Sequence, residues 1–360
     1  MRIRILIGLF LCTLFVVAQE ADRPRLHAQP PASKGTQTGL SVGAKIPAFE
    51  LSDQNKQTQT FEKLRGPNGM LLVFFRSADW CPYCKTQLVD LNGQVAAYAK
   101  QGMSIVAVSY DTVAILKSFS DRQKIGFKLL SDEGSKTIRA FGILNTTVQA
   151  GDPVYGIPFP GMYVVDAKGV ITAKYFEDDY TERYSAAAVL THETTATGTE
   201  QTTVDNKYFT MTYSASDSTF APGRRIALVM ELQMKPKMHV YAPGIKGYIP
   251  VDWKMADSKA YVAFAPEFPI SKMLNLPVIQ ETVPVYDGKI RMVRDITIGS
   301  EREIAGALGA DRTLAVEGSF RFQACDDKAC YLPTTVPLKW TFRIGSMDTQ
   351  RAPTEIRVRP

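Results

Sequence analysis

The chain has 360 residues, with 42 Lys and Arg against 36 Asp and Glu and a formal charge of +6. At about 100–200 residues per domain, that length predicts two globular domains, each able to bury its own core. No Lys/Arg run or basic block interleaved with aromatics occurs in it, so nucleic-acid binding has no support.

Residues 1–18 open with Arg2 and Arg4, continue through the apolar run Ile5 to Val17, and close on Val16-Val17-Ala18, a small-residue cleavage pattern. The expectation is a secretory signal peptide. A retained anchor is the weaker reading, because the run is shorter than the ~20 residues a spanning helix needs. Cys12, preceded by Leu11, leaves with this segment, and loss of Arg2 and Arg4 takes the charge from +6 to +4. Export to the periplasm would leave four cysteines in an oxidising compartment: Cys81 with Cys84, and Cys325 with Cys330. Pairing within each couple is the simplest arithmetic.

Residues 19–42, rich in Pro, Gln, Thr, Ser and Gly, are expected to be a flexible leader. A first domain is then expected over 43–192. Met70 to Phe75 is a continuous apolar run, suited to a strand buried on both faces. Leu88, Leu91, Val95 and Tyr98 recur at helical spacing up to Gln101-Gly102, so Cys81 stands at a helix N-terminus. A strand at 104–109, a helix near 112–120, a short strand at 127–130 and a helix near 136–141 follow, an alternation that implies a βαβ sheet. Residues 163–166 and 170–175 read as a hairpin, and 180–190 as a closing helix.

The polar stretch 193–204 has no period and is expected to be a linker. Beyond it the period switches to two. Ile226, Leu228, Met230, Leu232 and Met234 alternate, as do Leu314, Val316, Phe320 and Phe322, and then Val336, Leu338, Trp340, Phe342 and Ile344. This predicts a second domain over 205–345 built as an all-β sandwich, followed by a frayed tail at 346–360.

A CxxC pair opening a helix has a physical use, since the unpaired N–H groups of the helix N-terminus favour an anionic thiolate on the first cysteine. Cys81 is therefore the predicted nucleophile and Cys84 the resolving thiol that closes the disulfide. Pro82 occupies the first helical position, where no donor is needed, and with Tyr83 should tune the pair. The competing readings are a structural disulfide and a zinc half-site, and the motif's context favours redox chemistry over both. The zinc site would need two more ligands, and His27, His192 and His239 form no ligand spacing. No metal and no cofactor are expected.

Residues 43–185, most strongly Phe74 to Leu88 with Trp80-Cys81-Pro82-Tyr83-Cys84, resemble the thioredoxin-like superfamily in its redoxin branch, which includes the alkyl hydroperoxide reductase and thiol-specific antioxidant proteins. The resemblance implies a cis-proline facing the cysteines and binding substrate backbone. Pro160, before Gly161 to Asp166, is the matching position, with Pro158 second. Trp80, Pro82 and Tyr83 join it as substrate-contacting residues. Two departures stand out. Phe74 and Phe75 occupy the place where thioredoxins carry an acidic residue, so proton transfer to Cys84 needs another group. Arg76 and Asp79, which flank the motif, are more simply solvated surface charges. Peroxiredoxins use Pro-x-x-x-Thr-x-x-Cys, and aligning that cysteine to Cys84 places Ser77 and Cys81 at the Pro and Thr positions.

Cys325-Asp326-Asp327-Lys328-Ala329-Cys330 lies between two sandwich strands, where spacing alone favours a structural disulfide. Gly318 to Pro333, together with Met238-His239-Val240-Tyr241-Ala242, resembles the N-terminal periplasmic domain of the thiol:disulfide interchange protein DsbD. That resemblance implies an immunoglobulin-like fold whose pair takes electrons from a membrane-embedded donor and passes them to periplasmic thioredoxin-like proteins. It makes Cys330 the attacking thiol and Tyr331 a candidate shield, while His239 is read as strand packing.

The expectation is an α/β thioredoxin-like domain followed by an all-β immunoglobulin-like sandwich, acting as a periplasmic thiol:disulfide oxidoreductase through Cys81 and Cys84. Cys325 and Cys330 would relay electrons across the linker. The expected partners are disulfide-bonded or thioredoxin-like clients and a DsbD-type membrane donor. A thiol-dependent peroxidase with Cys84 as peroxidatic cysteine is the second reading. A non-enzymatic binding sandwich with a structural disulfide is the third.

Overall fold

The computed structural model describes residues 38–196, 198, 200–276 and 280–357. The signal peptide expected at 1–18 and most of the leader fall outside the described residues. The end of the leader is packed: the Leu40 N–H donates to Tyr163 Oη at 3.1 Å, and Leu40 and Val42 lie against the core.

In the first half, the apolar run forms the strand Gly69–Phe74, buried along its whole length. One face (Leu71, Val73) packs on Leu88, Leu91 and Ala107, and the other (Met70, Leu72, Phe74) on Val108, Ile138 and Phe141. Burial on both faces is why the run carries no alternation. Gly69–Phe74 pairs antiparallel with Gly161–Asp166, which pairs antiparallel with Ile171–Phe176. On its other side the Phe75 N–H donates to the Val108 carbonyl of Met103–Ser109, which runs parallel to Lys128–Ser131. The helix that opens at the cysteines spans Pro82–Lys100, and Gly102 follows it at φ +70°. The closing helix expected at 180–190 begins only at Ala186, with Ser185 as its cap. Arg183–Tyr184 is instead a short strand, parallel to Arg224–Arg225 of the second half.

The second half is all β. One sheet orders Tyr261–Ala263, Lys289–Ile298, Arg224–Met234, Phe209–Ala215 and Thr202–Asp205. A second orders Thr219–Phe220, Thr334–Ile344, Thr313–Phe322 and Asp252–Met255, and a smaller third carries His239–Tyr241 beside Ala324–Cys325. Ile226, Leu228, Met230 and Leu232 meet Leu314, Val316, Phe320, Phe322 and Trp340 in the sandwich core. The opposite face of the long strand is also covered, since Ala227 and Val293 belong to the core of the first half, with Ala188, Val189 and Leu190.

Two segments expected to be loose are fixed. Thr191 and Ala196 give their carbonyls to Arg291 Nη2 at 3.2 and 2.7 Å, and Thr202–Asp205 is a paired strand, so 193–204 is no free tether. The expected frayed tail folds back along the cysteine helix, where the Asp348 N–H donates to Thr86 Oγ1 at 3.1 Å.

The junction between the halves buries charge. Arg225 bridges Glu177 at 3.0 Å and Tyr184 Oη at 3.0 Å, His192 Nε2 meets Asp295 at 2.8 Å, and Asp217 accepts from Ser185 Oγ at 2.6 Å. Gly223 makes the close approach possible. It sits at φ +78°, and a Cβ there would stand 2.4 Å from the Thr181 carbonyl oxygen. Burial pushes Glu177 up to about 8, and Glu267 and Asp217 each up to about 7. Acids raised in this way contribute stability that is present below their unfolded values near 4 and lost as pH climbs through 7 to 8. The urea midpoint should therefore fall between pH 5.5 and pH 8.5, and Glu177→Gln, which mimics the neutral acid, should flatten part of that fall in urea titrations at both pH values.

Candidate redox site

Strand Gly69–Phe74 ends at the loop that carries the cysteines, and a buried carboxylate on the neighbouring strand end shapes that loop. Asp111 accepts from Ser77 Oγ at 2.9 Å, from the Ala78 N–H at 2.7 Å and from Ser109 Oγ at 3.0 Å. Ser77 Oγ in turn accepts from the Asp79 N–H at 3.0 Å. Cys81 follows in extended conformation as the N-cap of Pro82–Lys100, and its sulfur accepts the Cys84 N–H at 3.3 Å. Pro82 takes the first helical position, as expected. Cys81 and Cys84 are joined as a disulfide and are 2% and 0% exposed. The donor aimed at Cys81 Sγ is the feature that favours a thiolate there once the pair is reduced.

Trp80 donates from Nε1 to Tyr110 Oη at 2.9 Å, and the Arg76 guanidinium lies over both Trp80 and Tyr180, at 4.8 and 4.3 Å. Tyr83 meets Tyr180 edge-on, and its carbonyl receives Arg224 Nη2 at 3.5 Å. Pro160 precedes Gly161, whose strand partner is Phe74, so it stands at the motif's end of the sheet. The expected cis bond is absent, since no described peptide is cis. The Phe159 N–H donates to the Ile143 carbonyl and pairing begins at Gly161, so the chain enters its strand extended, with no tight turn for a cis bond to close. Asp79, expected in solvent, is 3% exposed. Burial pushes its pKa up, and the Arg351 guanidinium, with the Ala352 N–H, outweighs that to hold it below the usual carboxylate value. Asp111 and Arg351 were not singled out by sequence. The Asp111 contacts span more than thirty residues, and Arg351 lies in a segment with no period.

The second pair, Cys325 and Cys330, is also joined as a disulfide. Cys325 is buried on a strand opposite His239, and Cys330 is exposed. Tyr241 Oη lies 3.4 Å from each sulfur, and with no hydrogen on either sulfur the hydroxyl is the donor. Tyr241 packs on Tyr248, whose hydroxyl donates to Glu281 at 2.6 Å. Tyr331, the candidate shield, donates its hydroxyl to Asp326 and packs its ring on Tyr208. Burial pulls the His239 imidazole below its ordinary value, against the nearby Asp287, Asp327 and Asp326. Among the described residues no group of three His, Cys, Asp or Glu side chains is placed to hold a metal ion.

The structure does not bring the two pairs together. Arg224, at the Tyr83 carbonyl, begins the 11-residue strand Arg224–Met234. At about 3.3 Å per residue the far end lies roughly 30 Å away. There the Met234 N–H donates to the Gly288 carbonyl, Asp287 pairs with His239, and His239 pairs with Cys325.

Comparison with known proteins agrees with this division. Residues 42–174 match the model of the AhpC/TSA family, and residues 206–339 that of the N-terminal domain of thiol:disulfide interchange protein DsbD. A chloroplastic peroxiredoxin Q of Triticum aestivum is 32% identical over 156 residues, 43% of this chain and 67% of the relative. A putative peroxiredoxin of Mycobacterium tuberculosis is 30% identical over 139 residues, 38% of this chain and 87% of the relative. The solved peroxidoxin BcpB of the same organism is 20% identical over 39% of this chain and 88% of its own, with a TM-score of 0.35. Of several other plant relatives, among them the Populus jackii peroxiredoxin Q, the chain spans about 60% of the length. The chain belongs to the AhpC/TSA family, and its thioredoxin-like domain is followed by an immunoglobulin-like domain of the DsbD N-terminal type. It is a thiol-dependent oxidoreductase.

Because Asp111 collects donors that have no water to turn to, Asp111→Ala should cost about 3 kcal/mol or more. Chemical denaturation should show that loss, and limited proteolysis should cut first within residues 76–80.

Proposed function

We propose that the chain is a periplasmic thiol:disulfide oxidoreductase that exchanges electrons with protein dithiols and disulfides through Cys81 and Cys84. The observation that carries this reading is the Cys84 N–H aimed at the N-cap sulfur of Cys81, with Cys84 itself fully buried one turn inside the helix. The Cys81 thiolate attacks a client disulfide, forming a mixed disulfide and releasing one client thiolate. Cys84 then gives up its proton and attacks Cys81 Sγ, closing the Cys81–Cys84 bond and expelling the second client sulfur, which takes a proton. Two electrons have passed to the client, and a dithiol donor must return them.

The exposed position of Cys330 suits a protein partner, and a membrane donor of DsbD type fits the kinship of residues 206–339. With the pairs at opposite ends of a long strand, exchange between them runs between molecules or through a carrier, not within one docked chain. Export by residues 1–18 is part of the same proposal.

Peroxide reduction is the second reading, favoured by the near-complete burial of both sulfurs and by the peroxiredoxin names of the relatives. There Cys84 thiolate would attack the O–O bond, releasing water or an alcohol and leaving a sulfenic acid, which Cys81 would condense to the disulfide with loss of water.

The two are separated by giving the reduced protein either a scrambled-disulfide client or hydrogen peroxide and mapping each cysteine pair with time. Client reduction matched by Cys81–Cys84 oxidation, and slowed at least about a hundredfold in Cys81→Ser, is the expected outcome. Rapid peroxide turnover with an inert client would replace the first reading with the second.

A further inference from the structure

The residues after the last sandwich strand form a strap over the cysteine helix. Asp348 reaches Thr86, Arg122 (3.0 Å) and Gln123 (2.8 Å); the Gln350 carbonyl accepts from the fully buried Lys85 Nζ; and Ala352 is buried. The strap thus runs back from the second turn of the helix to the loop before it, and there it meets Asp79. Arg351 donates from Nε to Oδ1 at 2.8 Å and from Nη2 to Oδ2 at 2.6 Å, the Ala352 N–H adds 2.7 Å to Oδ1, and Arg357 Nε stands 3.9 Å away. This is a two-pronged guanidinium–carboxylate pair on a buried acid two residues before Cys81.

A buried carboxylate so close to Cys81 opposes its thiolate unless another charge cancels it. We propose that Arg351, supplied by the far end of the chain, is a positioning residue of the redox centre: it neutralises Asp79 and fixes the loop so that Cys81 ionises beneath the Cys84 N–H. The inference rests on Cys81 being the nucleophile of the proposed function. Besides Arg351, the charged or titratable groups facing this corner are Lys85 on the helix, Arg122 on the neighbouring helix, Asp348 and Arg357 on the strap, Tyr110 at the strand end, Arg76 with Tyr180 over Trp80, and the buried Asp111, which holds Ser77 and Ala78 of the same loop. Arg351 makes two bonds to the Asp79 carboxylate. The first domain thus depends on the residues that follow the sandwich, because truncation after Ile344 would remove the counter-charge.

The test is the pH profile of iodoacetamide alkylation of the single remaining active-site thiol, read by peptide mass, in full-length protein with Cys325→Ser and Cys330→Ser. Parallel Cys84→Ser and Cys81→Ser versions report each thiol alone. In the Cys84→Ser version, Arg351→Gln should raise the apparent pKa of Cys81 by at least about one unit, Arg351→Lys should restore part of it, and Asp79→Asn with Arg351→Gln should return it to the parent value. A chain ending at Gly345 should behave as Arg351→Gln does and be restored by Asp79→Asn, which covers the case of a single variant that folds poorly. An unmoved profile in Arg351→Gln, or a double variant as impaired as the single one, overturns the proposal. If the parent shows the acidic thiol at Cys84 instead, the nucleophile assignment has failed, and that outcome is distinct from a silent Arg351.

Discussion

Two adjacent arginines at the start of the 11-residue sandwich strand Arg224–Met234 decide how the halves of this protein sit. Arg224 is buried, with the charges of Asp90 on the cysteine helix and of Asp217 acting on it, and Arg225 joins Glu177, Tyr184 and the face of Phe264. Removing either guanidinium would leave buried acids without their partner, a loss of about 3–5 kcal/mol where the acid is ionised and less where burial keeps it protonated, as it does Glu177 near neutral pH. Paired charges of this kind add little net stability, because desolvation offsets their attraction, but they admit few alternative arrangements. The parallel pairing of Arg183–Tyr184 with Arg224–Arg225 follows from this docking, as do the shared core at Ala227 and Val293 and the distance between the two disulfides.

The docking gives the redox helix an unusual environment for a CxxC motif. Its first turn is bounded by the Asp111 loop, by Arg76 stacked between Trp80 and Tyr180, by Arg224 at the Tyr83 carbonyl and by the strap from the C-terminal end. Asp79, the buried acid two residues before Cys81, carries its own counter-ion in Arg351, and the buried Asp111 is held by Ser77, Ser109 and the Ala78 N–H. The second pair is built on a different principle. A tyrosine hydroxyl rather than a helix terminus addresses the sulfurs, and Cys330 is exposed.

Much of this was legible in the sequence because periodicity reports burial directly. The uninterrupted run at 70–75 became a strand covered on both faces, and the alternation at 314–322 and 336–344 became the sandwich. The CxxC placement at a helix start, and the kinship of both halves, could be read from residues that are close in the chain. Contacts between distant segments escaped. The stretch Arg224 to Met230 carries a trace of its double burial, since Ala227 and Val229 fill the positions where a half-exposed strand would be polar. The segments 193–204 and 346–357 carry no such trace. Their hydrogen bonds run to Arg291, Thr86, Lys85 and Asp79, and polar composition alone does not distinguish a solvated segment from one whose polar groups are all engaged.

This chain holds two separate disulfide centres at opposite ends of one docked body. Quenched-flow alkylation of full-length protein, treated with less than one equivalent of a dithiol reductant, can follow electron transfer from the Cys325–Cys330 pair to the Cys81–Cys84 pair over a hundredfold range of protein concentration. The account predicts a rate that rises in proportion to concentration, as exchange between molecules requires. A first-order rate independent of concentration would mean that the pairs meet within one chain, and would contradict it.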